Sequence, residues 1–78
     1  MDSIPFLHAN RLFTIFFEDD LAFTEVRLIL DFLLDCNAFD PHVQETAGRY
    51  LIDSEQATFT VWVSEMDVII QRNFVIPV

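Results

Sequence analysis

Four groups of side chains in this sequence are of types that can do chemistry. Asp31 and Asp35 stand four residues apart, a spacing that puts two carboxylates on one helix face, where they can converge on a cation. Glu18, Asp19 and Asp20 are consecutive and offer a second acidic cluster. Cys36 and His42 pair a thiol with a potential base. Phe16 and Trp62 are aromatics that a sheet can present to a nucleic-acid base or to a protein partner.

The first three groups lack what their chemistry needs. A calcium loop interleaves its acids with Asn and Gly and closes on a spaced Glu, and neither acidic group has these. A thiol nucleophile needs a base held by a third group, which the Cys36–His42 spacing does not supply. Structural zinc takes four ligands, but this chain has one Cys and two His, His8 and His42. No G-x-S-x-G, P-loop, GxGxxG or HExxH occurs, and with Gly48 as the sole glycine there is no loop to cradle phosphate. Scattered carboxylates are weak evidence of acid–base catalysis. The expectation is a protein that is not an enzyme and uses neither metal nor cofactor.

The charge is lopsided. There is no lysine, and four Arg face thirteen Asp and Glu for a net charge of −9. Such a field repels nucleic acid and anionic membranes and draws in basic surfaces. RNA-recognition modules do stack bases on central-strand aromatics of an open sheet. The basic, glycine-rich motif that goes with them is missing here. Phe16 and Trp62 are therefore expected to be covered by the N-terminal arm or to anchor a protein partner.

Length sets a further constraint. Residues 1–78 are expected to form a single domain, and a chain this short buries only about 60% of the surface its unfolded form exposes. Cys36 has no second cysteine to pair with, so self-association or docking on a partner is the remaining external support. Hydrophobic residues make up 53% of the chain, nine of them Phe, so there is apolar surface to spare for that purpose. The N-terminus has no basic region ahead of an apolar run, and no stretch of about eighteen apolar residues occurs, so neither a signal peptide nor a membrane span is expected. A lone cysteine fits a cytoplasmic setting.

The elements that must position these residues follow from periodicity. Residues 11–18 alternate as a strand, with Phe13, Ile15 and Phe17 on one face and Thr14 and Phe16 on the other. Residues 3–7 are an undecided extra strand. Asp19 or Asp20 offers an N-cap for a helix from Leu21 to Cys36, with Asn37 as a left-handed stop. Its apolar arc spans roughly 240°, well beyond the ~100° stripe of a surface helix. Asp40–Pro41 opens a short helical turn ended by Gly48, or equally a structured loop. Residues 49–53 and 57–63 are strands, the second with Ala57, Phe59, Val61 and Val63 opposite Thr58, Thr60 and Trp62. Ser64 with Asp67 forms a capping box for a second helix to Asn73, followed by an edge strand FVIPV; the rival is a hairpin of VIIQ and FVIPV.

Strand, helix, strand, strand, helix, strand is the ferredoxin-like βαββαβ pattern, an α+β fold with a four-stranded antiparallel sheet and helices on one face. On that frame residues 11–18 and 57–63 are central. Phe16 and Trp62 then lie on the open face, and part of the helix arc is left over: Leu21, Leu28 and Phe32 on one flank, or Phe23 and Leu34 on the other. The expected function is a small acidic protein-binding module, an inhibitor or decoy on a basic and potentially nucleic-acid-binding surface. Its contacts would be Phe16, Glu18, Asp19, Asp20, Asp31, Asp35 and Trp62. In size and charge the chain resembles the acidic inhibitors that phages encode against host defence or transcription machinery, and bacteriocin immunity proteins. The alternative is a homo-oligomeric structural or regulatory domain, a homodimer in its simplest form.

Overall fold

A computed structural model describes residues 1–40, 48–54 and 57–75. In chain order the elements are β1 (Asp2–His8), β2 (Arg11–Phe17), α1 (Phe23–Asp35), β3 (Arg49–Asp53), β4 (Ala57–Val63) and β5 (Asp67–Val75). The strands form one sheet in the order β1-β2-β5-β4-β3. β2 and β5 run parallel, and every other neighbouring pair is antiparallel.

This overturns the expected four-stranded ferredoxin-like sheet. The sheet is five-stranded and mixed, with a single helix among the described residues. The segment expected as a second helix is β5, and it runs through the middle of the sheet. The local reason lies at Ser64. Its Oγ accepts the Asp67 N–H at 3.2 Å, and its own N–H donates to the Asp67 carbonyl at 2.8 Å. A Ser oxygen bonded to an N–H three residues on can cap a helix or close a turn. The residues that follow choose the turn, because Val68, Ile69 and Ile70 are β-branched and alternate buried, exposed, buried. The rival hairpin is overturned too: VIIQ and residues 74–75 belong to one strand, with Asn73 as the extra residue of a bulge between the Thr58–Phe74 and Phe59–Arg72 pairs, while 76–78 fall outside the described residues.

Residues 3–7 belong to β1, which pairs with β2 from Asp2–Phe17 to His8–Arg11. The two-residue turn between them has Ala9 at φ 50° and Asn10 at φ 62°. Both values are positive, as a type I′ turn requires for its twist to match the strands. Pro5 is tolerated because β1 is an edge strand.

Helix α1 starts later than its acids suggest. Ala22 is the N-cap, with extended φ −72° and ψ 149°, and neither Asp19 nor Asp20 caps it. Ala22 has no side-chain oxygen to offer, so only half of a capping box forms: its N–H donates to Glu25 Oε1 at 3.2 Å. Leu21 and Val26 flank this start as a hydrophobic staple would, and both are buried. The other end follows the expectation. Asn37 has φ 56°, the Ala38 N–H reaches the Leu33 carbonyl at 2.9 Å, and the Asn37 N–H reaches Leu34 at 3.2 Å. These two bonds make a Schellman stop.

The core lies between α1 and one sheet face. Phe13, Ile15 and Phe17 of β2, Phe59, Val61 and Val63 of β4, and Val68 and Ile70 of β5 meet Val26, Ile29 and Leu33 of α1. The expected inward faces of both strands are therefore the observed ones. Phe39, just past the helix, closes one end in an aromatic group with Phe6, His8 and Phe13, at centroid separations of 5.0 to 6.1 Å from its partners or between them, and 6.5 Å for Phe6–Phe13. Arg11 binds this end together: it lies 4.8 Å over the Phe13 ring and donates to the Phe39 and Glu65 carbonyls at 2.9 and 2.8 Å. The helical turn expected after Pro41 falls outside the described residues.

Two backbone positions give tests. Gly48 has φ 61°, and a Cβ there would run into the Val63 carbonyl oxygen. Gly48→Ala should therefore destabilise by about 2 kcal/mol or more, from left-handed strain and backbone collision together. Ala9→Gly should do the reverse and add about 0.5–1 kcal/mol, because Ala9 already holds a conformation that favours glycine. Urea midpoints at constant slope measure both changes.

Candidate functional site

The seven residues expected to contact a partner fall in three places. Glu18, Asp19 and Asp20 sit in the connection between β2 and α1. Asp31 and Asp35 lie on the outer face of α1, and both are exposed. Phe16 and Trp62 share the sheet face that carries no helix. The sheet separates that face from α1, so no flat partner touches all three places at once.

The acids before the helix are largely engaged within the chain. Asp19 lies 2.9 Å from the Met1 amino group. Its hydrogen bond, and then its charge, raise the pKa of that amine above the ordinary value. Asp20 pairs with Arg72 at 3.0 Å, and Arg72 also holds Glu25 at 3.1 Å. Glu18 is half-buried, and its backbone carbonyl accepts the Leu21 N–H at 3.0 Å. Arg72 is the missed residue. Its side chain is only 15% exposed, on the sheet face beneath α1, and it ties β5 to the first turn of the helix. Its partners are 47 and 52 positions away, and periodicity carries no signal at such separations.

Asp31 and Asp35 have apolar company. Leu28, Asp31, Phe32 and Asp35 are spaced i, i+3, i+4 and i+7, so they form one continuous stripe. Leu28 is 56% and Phe32 42% exposed. Phe23, 67% exposed, stands on the opposite flank of the helix. Both expected flanks are thus partly left uncovered, while Leu21 is buried and Leu34 half-buried. Neither Asp31 nor Asp35 forms an ion pair among the described residues.

On the open sheet face the register aligns a row across all five strands: Ser3, Phe16, Ile69, Trp62 and Arg49. Ile69 is 40% and Trp62 36% exposed, and Phe16 is half-buried. A helix over 65–73 would not place Ile69 between the two aromatics, so the expected elements carry no signal for this residue. Leu12 and Leu51, also exposed, extend the apolar face on both sides of this row.

An open recess of about 390 Å³ lies where the β1–β2 turn meets the end of α1, lined by His8, Arg11, Phe39 and Asp40 among others. Two Arg11 nitrogens are already bonded to carbonyls, and His8 stacks on Phe6. Among the described residues no nucleophile stands beside a base there. Cys36 is half-buried at the helix end, its Sγ directed at the Leu33 carbonyl at 3.5 Å; His42 lies outside the described residues. Among the described residues there is no cluster of three metal-binding side chains, and no helix is long and apolar enough to cross a membrane.

The Arg72 tie can be dissected by substitution. Arg72→Met should destabilise by about 1–2 kcal/mol, because it removes charge-assisted bonds to a partly buried Glu25. Asp20→Asn should cost under about 0.5 kcal/mol, since that carboxylate is exposed and screened. Equal losses from the two, read from urea melts, would show that Asp20 rather than Glu25 is the main anchor.

No protein-family model, curated protein or solved structure matches the sequence.

Proposed function

We propose that the chain is a small acidic protein-binding module that docks on a basic surface of another protein through the outer face of α1. The observation that carries this is the stripe Leu28–Asp31–Phe32–Asp35, in which two exposed apolar side chains alternate with two acids that form no ion pair among the described residues. Each of these half-exposed side chains offers about 1 kcal/mol when a partner covers it. The adjacent carboxylates select a partner of opposite charge and speed the encounter. The net charge of −9 adds long-range steering toward the same class of surface. Where that surface normally holds nucleic acid, the module acts as a decoy, in the manner of a phage-encoded anti-defence inhibitor. Its action is by occupancy, without catalysis or a cofactor, and the lone cysteine suits a cytoplasmic setting.

This reading keeps part of the expected contact set and drops the rest. Asp31 and Asp35 remain in it. Asp19 and Asp20 contribute field rather than contacts, because their near partners are internal. Phe16 and Trp62 lie across the sheet from the stripe and have no part in it.

The test uses the full chain as bait, followed by titration of the recovered partner in about 50 mM and about 500 mM salt, which brackets the physiological screening length. Affinity should fall steeply with salt. Asp31→Asn with Asp35→Asn should weaken binding about tenfold and flatten the salt slope, and Phe32→Ala should weaken it by at least about tenfold. Binding that ignores salt and both substitutions would rule out docking by this face.

A further inference from the structure

We infer that the open face of the sheet is the seam of a homodimer, occupied by a second copy of this chain. The inference does not depend on the partner-binding reading, which uses the other side of the molecule. A sheet with one face free of helices normally presents polar side chains to water there. Here the central row of that face is Phe16, Ile69 and Trp62, with Leu12 and Leu51 flanking it. Contiguous apolar surface of this kind marks a contact site.

Charge on the face selects the occupant. The strand positions facing this way are Ser3, Pro5 and Leu7; Leu12, Thr14 and Phe16; Asp67, Ile69 and Gln71; Thr58, Thr60 and Trp62; and Arg49, Leu51 and Asp53. Only Arg49, Asp53 and Asp67 among them are charged, so these positions sum to −1 of the chain's −9. A basic partner finds little to hold here. A second copy meets a face as neutral and apolar as its own. Asp31 and Asp35 on α1 stay on the far sides of the two sheets, beyond about one screening length.

Shape allows the same match. A two-fold axis that lies in the contact plane and passes through Ile69 places Ile69 on its own copy. If the axis runs along the strands, Phe16 of one copy lies over Trp62 of the other. If it runs across them, each aromatic lies over its equivalent. The row Phe16–Ile69–Trp62 is therefore self-complementary in either aligned packing, as an isologous interface requires. Five strands about 4.8 Å apart and about seven residues long present roughly 550 Å². Two such faces in contact bury roughly 1,100 Å², which clears the ~1,000 Å² a biological contact needs and belongs with weak, reversible association.

Trp62 is the sole tryptophan, so its fluorescence reports on the proposed seam directly. Sedimentation equilibrium of the full chain at about 100 µM should give twice the monomer mass. Dilution should return the monomer while Trp62 emission shifts red and its quenching by acrylamide rises. Ile69→Glu should halve the mass with an unchanged far-ultraviolet circular dichroism spectrum. Leu28→Glu, on the helix, should leave the dimer intact. A monomer at about 100 µM overturns the inference. So does a dimer that Leu28→Glu breaks and Ile69→Glu does not. If Ile69→Glu fails to fold, the unmodified chain decides: a dimer whose Trp62 is as quenchable as in the diluted monomer also overturns it.

Discussion

The insertion of β5 between β2 and β4 is the constraint from which the rest of the molecule follows. It joins the β1–β2 hairpin to the β3–β4 pair, which otherwise share no strand contact in the sheet. Its alternation then serves three surfaces at once. Val68 and Ile70 enter the core. Arg72, on the same side, reaches Asp20 and Glu25 and fixes where the helix begins. Ile69, on the other side, completes an apolar row between two aromatics. A helix in place of β5 would leave two separate hairpins, each too small to be stable alone.

Once β5 is a strand, one helix must cover a five-stranded sheet. A helix of thirteen residues is about 20 Å long and about 10 Å wide, while the sheet is roughly 24 Å across. The uncovered end is closed by the segment after the helix, where Ala38 and Phe39 are buried and Arg11 clamps the Phe39 carbonyl. The helix itself cannot bury an arc of roughly 240° against a single flat layer. Phe23, Leu28 and Phe32 are the remainder. Their exposure results from a strand having taken the place of a second helix.

What could be seen in the sequence was whatever depends on near neighbours. The inward faces of β2 and β4 follow from strict alternation, and the end of α1 follows from Asn37. Three features depended on something else. Ser64 makes the same bond in a capped helix and in a turn, so it cannot distinguish them, and the β-branched run at 68–70 was the better guide. The β1–β2 turn uses Ala9 and Asn10 where glycine would have announced it. The Arg72 pairs span the chain, and that long-range closure moved the helix start from the acids to Ala22. For the candidate site, Phe16 and Trp62 were placed on the correct face, but Ile69 between them was hidden by the misassigned helix. The acids were seen as one surface because nothing local shows that Asp19 and Asp20 have partners at Met1 and Arg72.

The fold also divides the two properties that seemed to belong to one interface. The aromatic row lies where strand positions carry little charge, and the helix acids Asp31 and Asp35 lie across the sheet. A layer of backbone between them prevents either from assisting the other at a single contact. Apolar contact without charge favours a copy of the same chain, because like-charged molecules can approach only through their least charged sides. Acid beside a modest apolar stripe favours a partner of opposite sign. A dimer joined back to back through its sheets would turn both helices outward, with Asp31 and Asp35 of each copy on opposite outer surfaces. Self-association and partner binding would then use separate faces, and filling the first would present the second twice.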